Sequence, residues 1–328
     1  MKLPRRQFLH LAAGAAALPA GRRSAWAQTY PSRPVTLIVF VPAGGTPDII
    51  ARLVAQALSQ RLGQSLVIDN RPGGGGTIGM SLAARAAPDG YTLVHSSIGP
   101  VAIDSSLHSK MPYDTLKDFT PIARMVSALN ILVVHPSVPV KSVKDLIAYS
   151  KANPKKINYG SSGIGHADHM AAEIFNSMVG VKMQHIMYKG GAPAMTELLG
   201  GNIELIFSTV STAITFIKSG RIRPIAVTSA KRVDLFPDIP TVAEGGLPGF
   251  VVDNWYCVLG PKGLPKPIVQ RLHKEYNRAL AQPDVAKRLE PLGIFPFPLP
   301  TPEAFGDYIK SETAKYARVV KEAGIRID

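Results

Sequence analysis

Two segments of the 328-residue chain carry small and hydroxyl-bearing residues at the spacing needed to hold an anion. The first runs from Val39 to Asp48 and includes Ala43, Gly44, Gly45, Thr46 and Asp48. The second runs from Ile157 to His166 and includes Ser161, Ser162, Gly163 and Gly165. Each leads from an apolar strand pattern into an amphipathic helix pattern. The first turn of a helix has unpaired N–H groups and a partial positive charge, so it attracts anions. Glycine lets the backbone come close to a ligand, and Thr46, Ser161 or Ser162 adds a hydroxyl donor. Two such loops about 120 positions apart point to a clamp that grips one anionic ligand from two sides. Ser96, Ser97 and Gly99 follow a third strand pattern and are expected on the same edge, because ligands of open α/β sheets lie at strand carboxyl ends.

Other chemistry is poorly supported. Gly73 to Gly76 lacks the Gly-Lys-Ser/Thr that completes a phosphate loop, and reads as a tight turn into a helix at Thr77 beside the cleft. His166, Asp168 and His169 share one helical turn, but a zinc site needs further ligands at productive spacing. No Gly-x-Ser-x-Gly elbow is present. Cys257 is the single cysteine, lies in an apolar run and has no nearby histidine partner, so it reads as a buried structural thiol. No metal or cofactor is expected, and the loops supply donors where catalysis would need gathered acids and bases.

These loops need a scaffold. Strand patterns cover 35–41, 66–69, 92–96, 131–135, 157–160, 183–188, 203–208, 224–229 and 251–259. Helical patterns alternate with them, which predicts an α/β fold with mainly parallel sheets. In the helix over 48–62, Ile49, Ile50, Leu53, Val54, Ala57, Leu58 and Leu62 form one stripe, with Thr46 as N-cap and Pro47 in the first turn. In the second, Met170, Ile174, Phe175 and Met178 share a face. Helices are also expected over 142–153 and 302–322.

Residues 1–27 read as an export signal. Arg5 and Arg6 precede an apolar stretch too short to span a bilayer, and Ala25-Trp26-Ala27 fits cleavage before Gln28. The arginine pair suits the Tat route, although Pro4 stands where Ser or Thr is usual and Sec export stays open. Removing that segment leaves 32 basic against 23 acidic residues. The excess favours anionic ligands, but scattered charges and sparse aromatics give no nucleic-acid surface. The remaining length suits two domains. Breaks near Ala128 and at Gly245 to Gly249 divide the chain into 28–128 with 250–328 as a discontinuous first domain and 129–249 as a second. Two crossings make a hinge with the ligand between the lobes.

Several segments resemble one family: Pro42-Ala43-Gly44-Gly45-Thr46-Pro47-Asp48, Asn70-Arg71-Pro72-Gly73-Gly74-Gly75-Gly76-Thr77, and Ala87-Pro88-Asp89-Gly90-Tyr91-Thr92. Others are Val133-Val134-His135-Pro136-Ser137, Asn158-Tyr159-Gly160-Ser161, Tyr188-Lys189-Gly190-Gly191-Ala192-Pro193 and Ala226-Val227-Thr228-Ser229-Ala230-Lys231. In this order and spacing the chain is similar to the Bug-family receptors of tripartite tricarboxylate transporters over its whole mature length. The resemblance implies a type II periplasmic binding fold, a small carboxylate ligand (aliphatic or aromatic), no catalysis, and delivery to a membrane permease by a monomeric receptor. A sensor feeding a signalling partner would carry the same signature.

Departures from the family pattern fall in the second loop. His166 stands where a short hydroxyl is common and Asp168 where serine is common, while Phe207 is followed by Ser208-Thr209 in place of an Asp-containing stretch. His166 can donate to a carboxylate or stack on a ring. Asp168 caps its helix, pairs with His166 or meets a ligand cation. Phe207 and Ser208 complete the expected ligand set. Trp255-Tyr256 is expected as a cleft wall or as core, and Lys189 at the mouth.

Overall fold

The computed structural model describes residues 30–154, 156–322 and 324–325. The expected export segment lies outside them. Eleven strands form two sheets among the described residues. The first has the order β11-β4-β10-β3-β1-β2. It contains β1 (Val35–Val39), β2 (Leu66–Asn70), β3 (Thr92–Ser97), β4 (Phe119–Ala128), β10 (Asn254–Pro261) and β11 (Ile294–Pro296). The second has the order β7-β6-β8-β5-β9. It contains β5 (Asn130–Val134), β6 (Asn158–Ser161), β7 (Gln184–Met187), β8 (Leu205–Thr209) and β9 (Arg223–Val227). The principal helices are α1 (Thr46–Leu62), α2 (Thr77–Ala84), α3 (Val143–Ala152), α4 (Ala167–Val179), α5 (Gly191–Leu199), α6 (Val210–Lys218), α7 (Lys266–Leu280), α8 (Pro283–Leu289) and α9 (Pro302–Glu322).

The sheets are mixed, which corrects the expectation of mainly parallel pairing. β1 pairs in parallel with β2 and β3, and β6 with β7 and β8. β10 runs antiparallel to β3 and β4, and β5 antiparallel to β8 and β9. The reason is topological. β4 ends one sheet at Ala128 and β5 begins the other at Asn130, so β5 enters its sheet at the edge where the local β–α strands end. β10 does the same on the return from β9. Both therefore start at the edge where β1, β3, β6 and β8 finish.

Packing of the helices follows their apolar periodicity. In α1, Ile50, Ala51, Val54, Leu58 and Leu62 are buried against Leu37, Val39, Leu272 and Tyr276, while Ile49 and Leu53 are half-buried. Each fully buried aliphatic side chain contributes about 1.5–3 kcal/mol. Gly63, in the left-handed region at φ 71°, ends the helix with its N–H on Ser59 O. In α4 the buried face is Met170, Ala171, Ala172 and Phe175, and Met178 is exposed. Thr46 is the first helical residue of α1 and Gly45 is the N-cap, which corrects the capping role expected of Thr46.

β4 has no counterpart among the expected strands. It contains Pro121 and Arg124, both unfavourable in a strand pattern. Arg124 is 1% exposed, and its guanidinium donates to Asp253 Oδ2 at 2.7 Å, Ser127 Oγ at 2.8 Å and Phe297 O at 3.1 Å. The Phe297 ring stacks on it at 3.9 Å. A buried cation is tolerated here because its charge is paired and both terminal nitrogens donate, although Nε has no partner.

Candidate functional site

A cavity of about 400 Å³ lies between the two sheets, at the edge where the strands converge. Four helices begin on its wall. The lining includes Gly45-Thr46-Pro47 at the start of α1, Ala167-Asp168 at α4, Gly190-Gly191-Ala192-Pro193 at α5, and Thr209 with Thr212 at α6. Each start presents first-turn amides without intrahelical acceptors and the positive end of a dipole. Lys189 is the sole Lys or Arg of the described lining. Neutral donors therefore dominate the cavity.

The expected residues separate into those that reach the cavity and those that support it. Ala43, Gly44, Gly45, Thr46, Ser97, Ser162, His166, Asp168 and Ser208 line it. Asp48, Ser96, Gly99, Ser161, Gly163, Gly165 and Phe207 do not. Strand alternation decides three of these cases, because neighbouring side chains point to opposite faces. Ser97 reaches the cavity and the fully buried Ser96 does not; Ile206 and Ser208 line it while Phe207 packs between Phe175 and Phe250. Ser162 lines it, whereas buried Ser161 places Oγ 2.7 Å from His185 Nε2.

Asp48 is a scaffold for the first loop. Its Oδ2 accepts from Gly44 N and from Arg52 Nε, both at 2.9 Å, and its Oδ1 from Asn70 Nδ2 at 2.9 Å. Burial alone would push its carboxyl up, but the hydrogen bonds from Arg52, Gly44 and Asn70 outweigh that and hold it below the usual range. Asp168 does the equivalent work in the second loop, accepting from Ser162 N at 2.5 Å and from His169 N at 3.0 Å. No arginine answers it there. Burial raises its pKa, opposed by the nearby His166 and by the backbone donors.

The glycines outside the cavity allow close approach between lobes. A Cβ on Gly99 would lie 3.1 Å from Gly165 O and 3.3 Å from His166 Cδ2. A Cβ on Gly165, whose φ is 78°, would lie 2.3 Å from Asp104 Oδ1. Gly163 lies beneath the His166 ring. His166 itself spans the cleft: Nδ1 is 3.0 Å from Ser162 Oγ and Nε2 is 3.2 Å from Gly75 O on the opposite lobe. A carbonyl only accepts, so the Nε2 that faces Gly75 O carries a proton. The Phe40 ring meets its edge at 6.0 Å. At the far side Thr46 Oγ1 lies 2.8 Å from Ser211 Oγ and 3.1 Å from Thr209 Oγ1, a second direct contact between lobes.

Behind the second loop sits a buried aromatic and imidazole stack. His169 and His185 are 4.4 Å apart, Tyr159 lies 4.9 Å from His185, and Tyr159 donates to Glu173. Burial pushes His169 down to about 3 and His185 down to about 4, so both imidazoles are neutral near pH 7. Gly165 N lies 3.3 Å from His169 Nδ1, which anchors the loop to this stack.

Lys189, expected at the mouth, lines the cavity together with Gly190 and Gly191, whereas sequence reasoning left out Thr209, Thr212 and Asn254 as site residues. The β7–α5 connection carries the glycine signal at Gly190 and Gly191, but α6 begins at Val210 directly after β8 ends at Thr209, so no loop marks that start in the sequence. Tyr256 lines the cavity, whereas Trp255 is core and donates to Glu312 Oε2 at 3.1 Å. Cys257 is fully buried. Among the described residues no helix is long and apolar enough to cross a membrane.

A family model described as tripartite tricarboxylate transporter family receptor matches residues 50–325. Protein BugT of Bordetella pertussis (strain Tohama I) is 36% identical over 302 residues, 92% of this chain and 92% of that protein. The structure of R. palustris Rpa4515 with adipate is 37% identical with a TM-score of 0.87, covering 91% of this chain and 100% of that one. The structure of MatC from Rhodopseudomonas palustris with bound malate is 31% identical with a TM-score of 0.83, covering 89% and 100%.

Proposed function

The chain belongs to the tripartite tricarboxylate transporter receptor family, a family of periplasmic solute receptors, and from that premise we propose that it captures a small dicarboxylate and delivers it to the membrane permease of such a transporter. One observation carries this reading: four helix starts, two lobes and several hydroxyls converge on one cavity whose described lining holds a single Lys or Arg. Backbone and hydroxyl donors recognise a carboxylate by geometry, and each bond to the charged oxygen is about twice as strong as a neutral one. The bound compounds of the two similar structures, adipate and malate, are aliphatic diacids, and the cavity is of a size for such molecules.

The lobes of this reading are 28–128 with 250–328, and 129–249, turning about the connections near Leu129 and between Thr228 and Asp253. Ala43 to Thr46 with Ser97 form one face of the grip; Ser162, His166, Ser208 and Thr209 form the other. Asp48 and Asp168 hold the loops from behind. The receptor acts as a monomer, after export and removal of residues 1–27.

A thermal-shift screen of the mature receptor against adipate, malate, citrate and benzoate tests the proposal. A ligand at about 100 times its dissociation constant stabilises the fold by roughly 2.7 kcal/mol. The diacids are expected to raise the melting temperature by several degrees and benzoate to do less. A flat response to every acid overturns the reading.

A further inference from the structure

The floor of the cleft holds a polar chain that the helix starts do not use. Tyr256 lines the cavity from the third residue of β10 and is opposite Ser97 in register. Its ring stacks on the fully buried His95 at 5.9 Å and 15°. Its oxygen accepts from Asn254 Nδ2 at 3.2 Å. An amide nitrogen only donates, so the phenolic proton is left for another acceptor, and none of the described residues takes it. Burial pushes the phenol well above its ordinary range, so it stays a donor at any physiological pH.

Asn254 continues the chain to the hinge. The same Nδ2 lies 3.3 Å from Asn130 Oδ1. Asn254 opens β10, where the backbone returns to the first lobe, and Asn130 opens β5, where it enters the second. Thr228 closes the crossing. Its N–H donates to Asn130 O at 3.0 Å, and its hydroxyl donates to Val252 O at 2.9 Å. Asn130 is 1% exposed and does not line the cavity.

We propose that Tyr256 donates its phenolic proton to a carboxylate oxygen of the ligand, and that Asn254 and Asn130 tie this contact to the two strands on which the lobes turn. Tyr256 is thus a specificity-determining contact, and Asn130 is a positioning residue that never touches the ligand. A phenol that donates to a charged acceptor becomes a better acceptor itself, so the Asn254 Nδ2–Tyr256 bond strengthens on binding, while the second N–H of the same amide holds Asn130 Oδ1. The inference rests on the dicarboxylate reading above.

The test is a calorimetric titration of the mature receptor with adipate and with malate, for the wild type, Tyr256→Phe, Asn130→Ala and the double variant. Phenylalanine keeps the stack on His95, so the melting temperature of the unliganded chain is expected to hold. Affinity for the diacid that binds is expected to fall roughly tenfold or more, the range for a hydrogen bond to a charged group. Asn130→Ala is expected to weaken binding about threefold, and the double variant to lose little beyond Tyr256→Phe alone, since coupled residues are not additive. Unchanged affinity in Tyr256→Phe overturns the contact. Additive losses in the double variant overturn the link to the hinge. A wild type that binds neither diacid overturns the dicarboxylate reading, and this contact with it.

Discussion

The loops Val41 to Asp48 and Ser161 to Asp168 use the same backbone device in opposite electrostatic settings. Each turns a strand into a helix through small residues, and each fixes the turn with an aspartate that accepts a loop N–H. In the first loop the aspartate is ionised and answered by Arg52, whose side chain is 53% exposed. A Cβ at Gly44 would meet nothing within 4 Å. In the second loop the aspartate is buried without an arginine and flanked by His166 and His169, and it is Gly165 of the same loop that packs against the unpartnered carboxylate of Asp104. The first loop is an open, well-paired anion seat. The second is a tightly packed element that also meets the opposite lobe through His166. The contrast teaches that equal recognition geometry does not imply equal tolerance: the second loop is where changes in packing or protonation reach the site.

The largest expected difference comes from alanine at the two left-handed glycines. At Gly165 the new methyl collides with Asp104 and Leu107, and φ is 78°. Strain and overpacking together destabilise by about 3 kcal/mol or more. At Gly44, where φ is 84° but space is open, the loss is about 1 kcal/mol. Chemical denaturation of both variants measures the gap, and equal losses would contradict the comparison.

Removing the first loop's carboxylate is next. Asp48→Ala leaves Gly44 N and Arg52 without their acceptor and is expected to cost about 2 kcal/mol at pH 7. Because the folded-state pKa of Asp48 lies below its unfolded value, its contribution is present above about pH 3.8 and is lost as pH falls through the lowered value. The deficit of the variant should therefore shrink in acid, as thermal melts at pH 7 and pH 3 would show.

A second buried carboxyl has the opposite pH dependence. Burial raises Asp104 to about 7, so the folded chain holds a proton that the unfolded chain releases above about pH 3.8. The resulting penalty grows as pH rises toward 7 and is complete above it. Asp104→Asn should gain melting temperature relative to wild type at pH 8, and that gain should shrink steadily as pH falls from 7 toward 4. The buried His95 and His169 and the half-buried His185, pushed down to about 4, 3 and 4, act in the other sense. Their neutral forms favour the fold above about pH 6.5, and that contribution declines toward their folded values. Asp104→Asn should thus show a steeper loss of stability from pH 6.5 to pH 4 than the wild type. A pH-independent difference between the two proteins would refute the assignment of Asp104 as an unpaired buried acid.

Much of this was legible in the chain because strand–loop–helix units advertise themselves. The apolar stripe of α1, the glycines of the loops and the approach of both loops to one edge follow from local pattern. What was not legible depends on partners distant in sequence. β4 is hidden because Arg124 is acceptable in a strand only once Asp253, Ser127 and Phe297 surround it. Asn254 and Tyr256 were hard to place because β10 reaches the cleft with its first residues, a consequence of antiparallel entry. Which serine of Ser96-Ser97 and of Ser161-Ser162 faces the cavity turns on one residue of register, and a sequence pattern does not fix the register.

The central claim is that both lobes hold charge on one ligand. Calorimetric titration of the mature receptor with adipate and with its monomethyl ester, under identical salt and pH, tests it most directly. The account predicts one site per chain and at least roughly tenfold weaker binding of the ester, which lacks one charge-assisted set of hydrogen bonds. Equal affinity for diacid and ester would contradict it, by showing that only one of the two loops grips an anionic group.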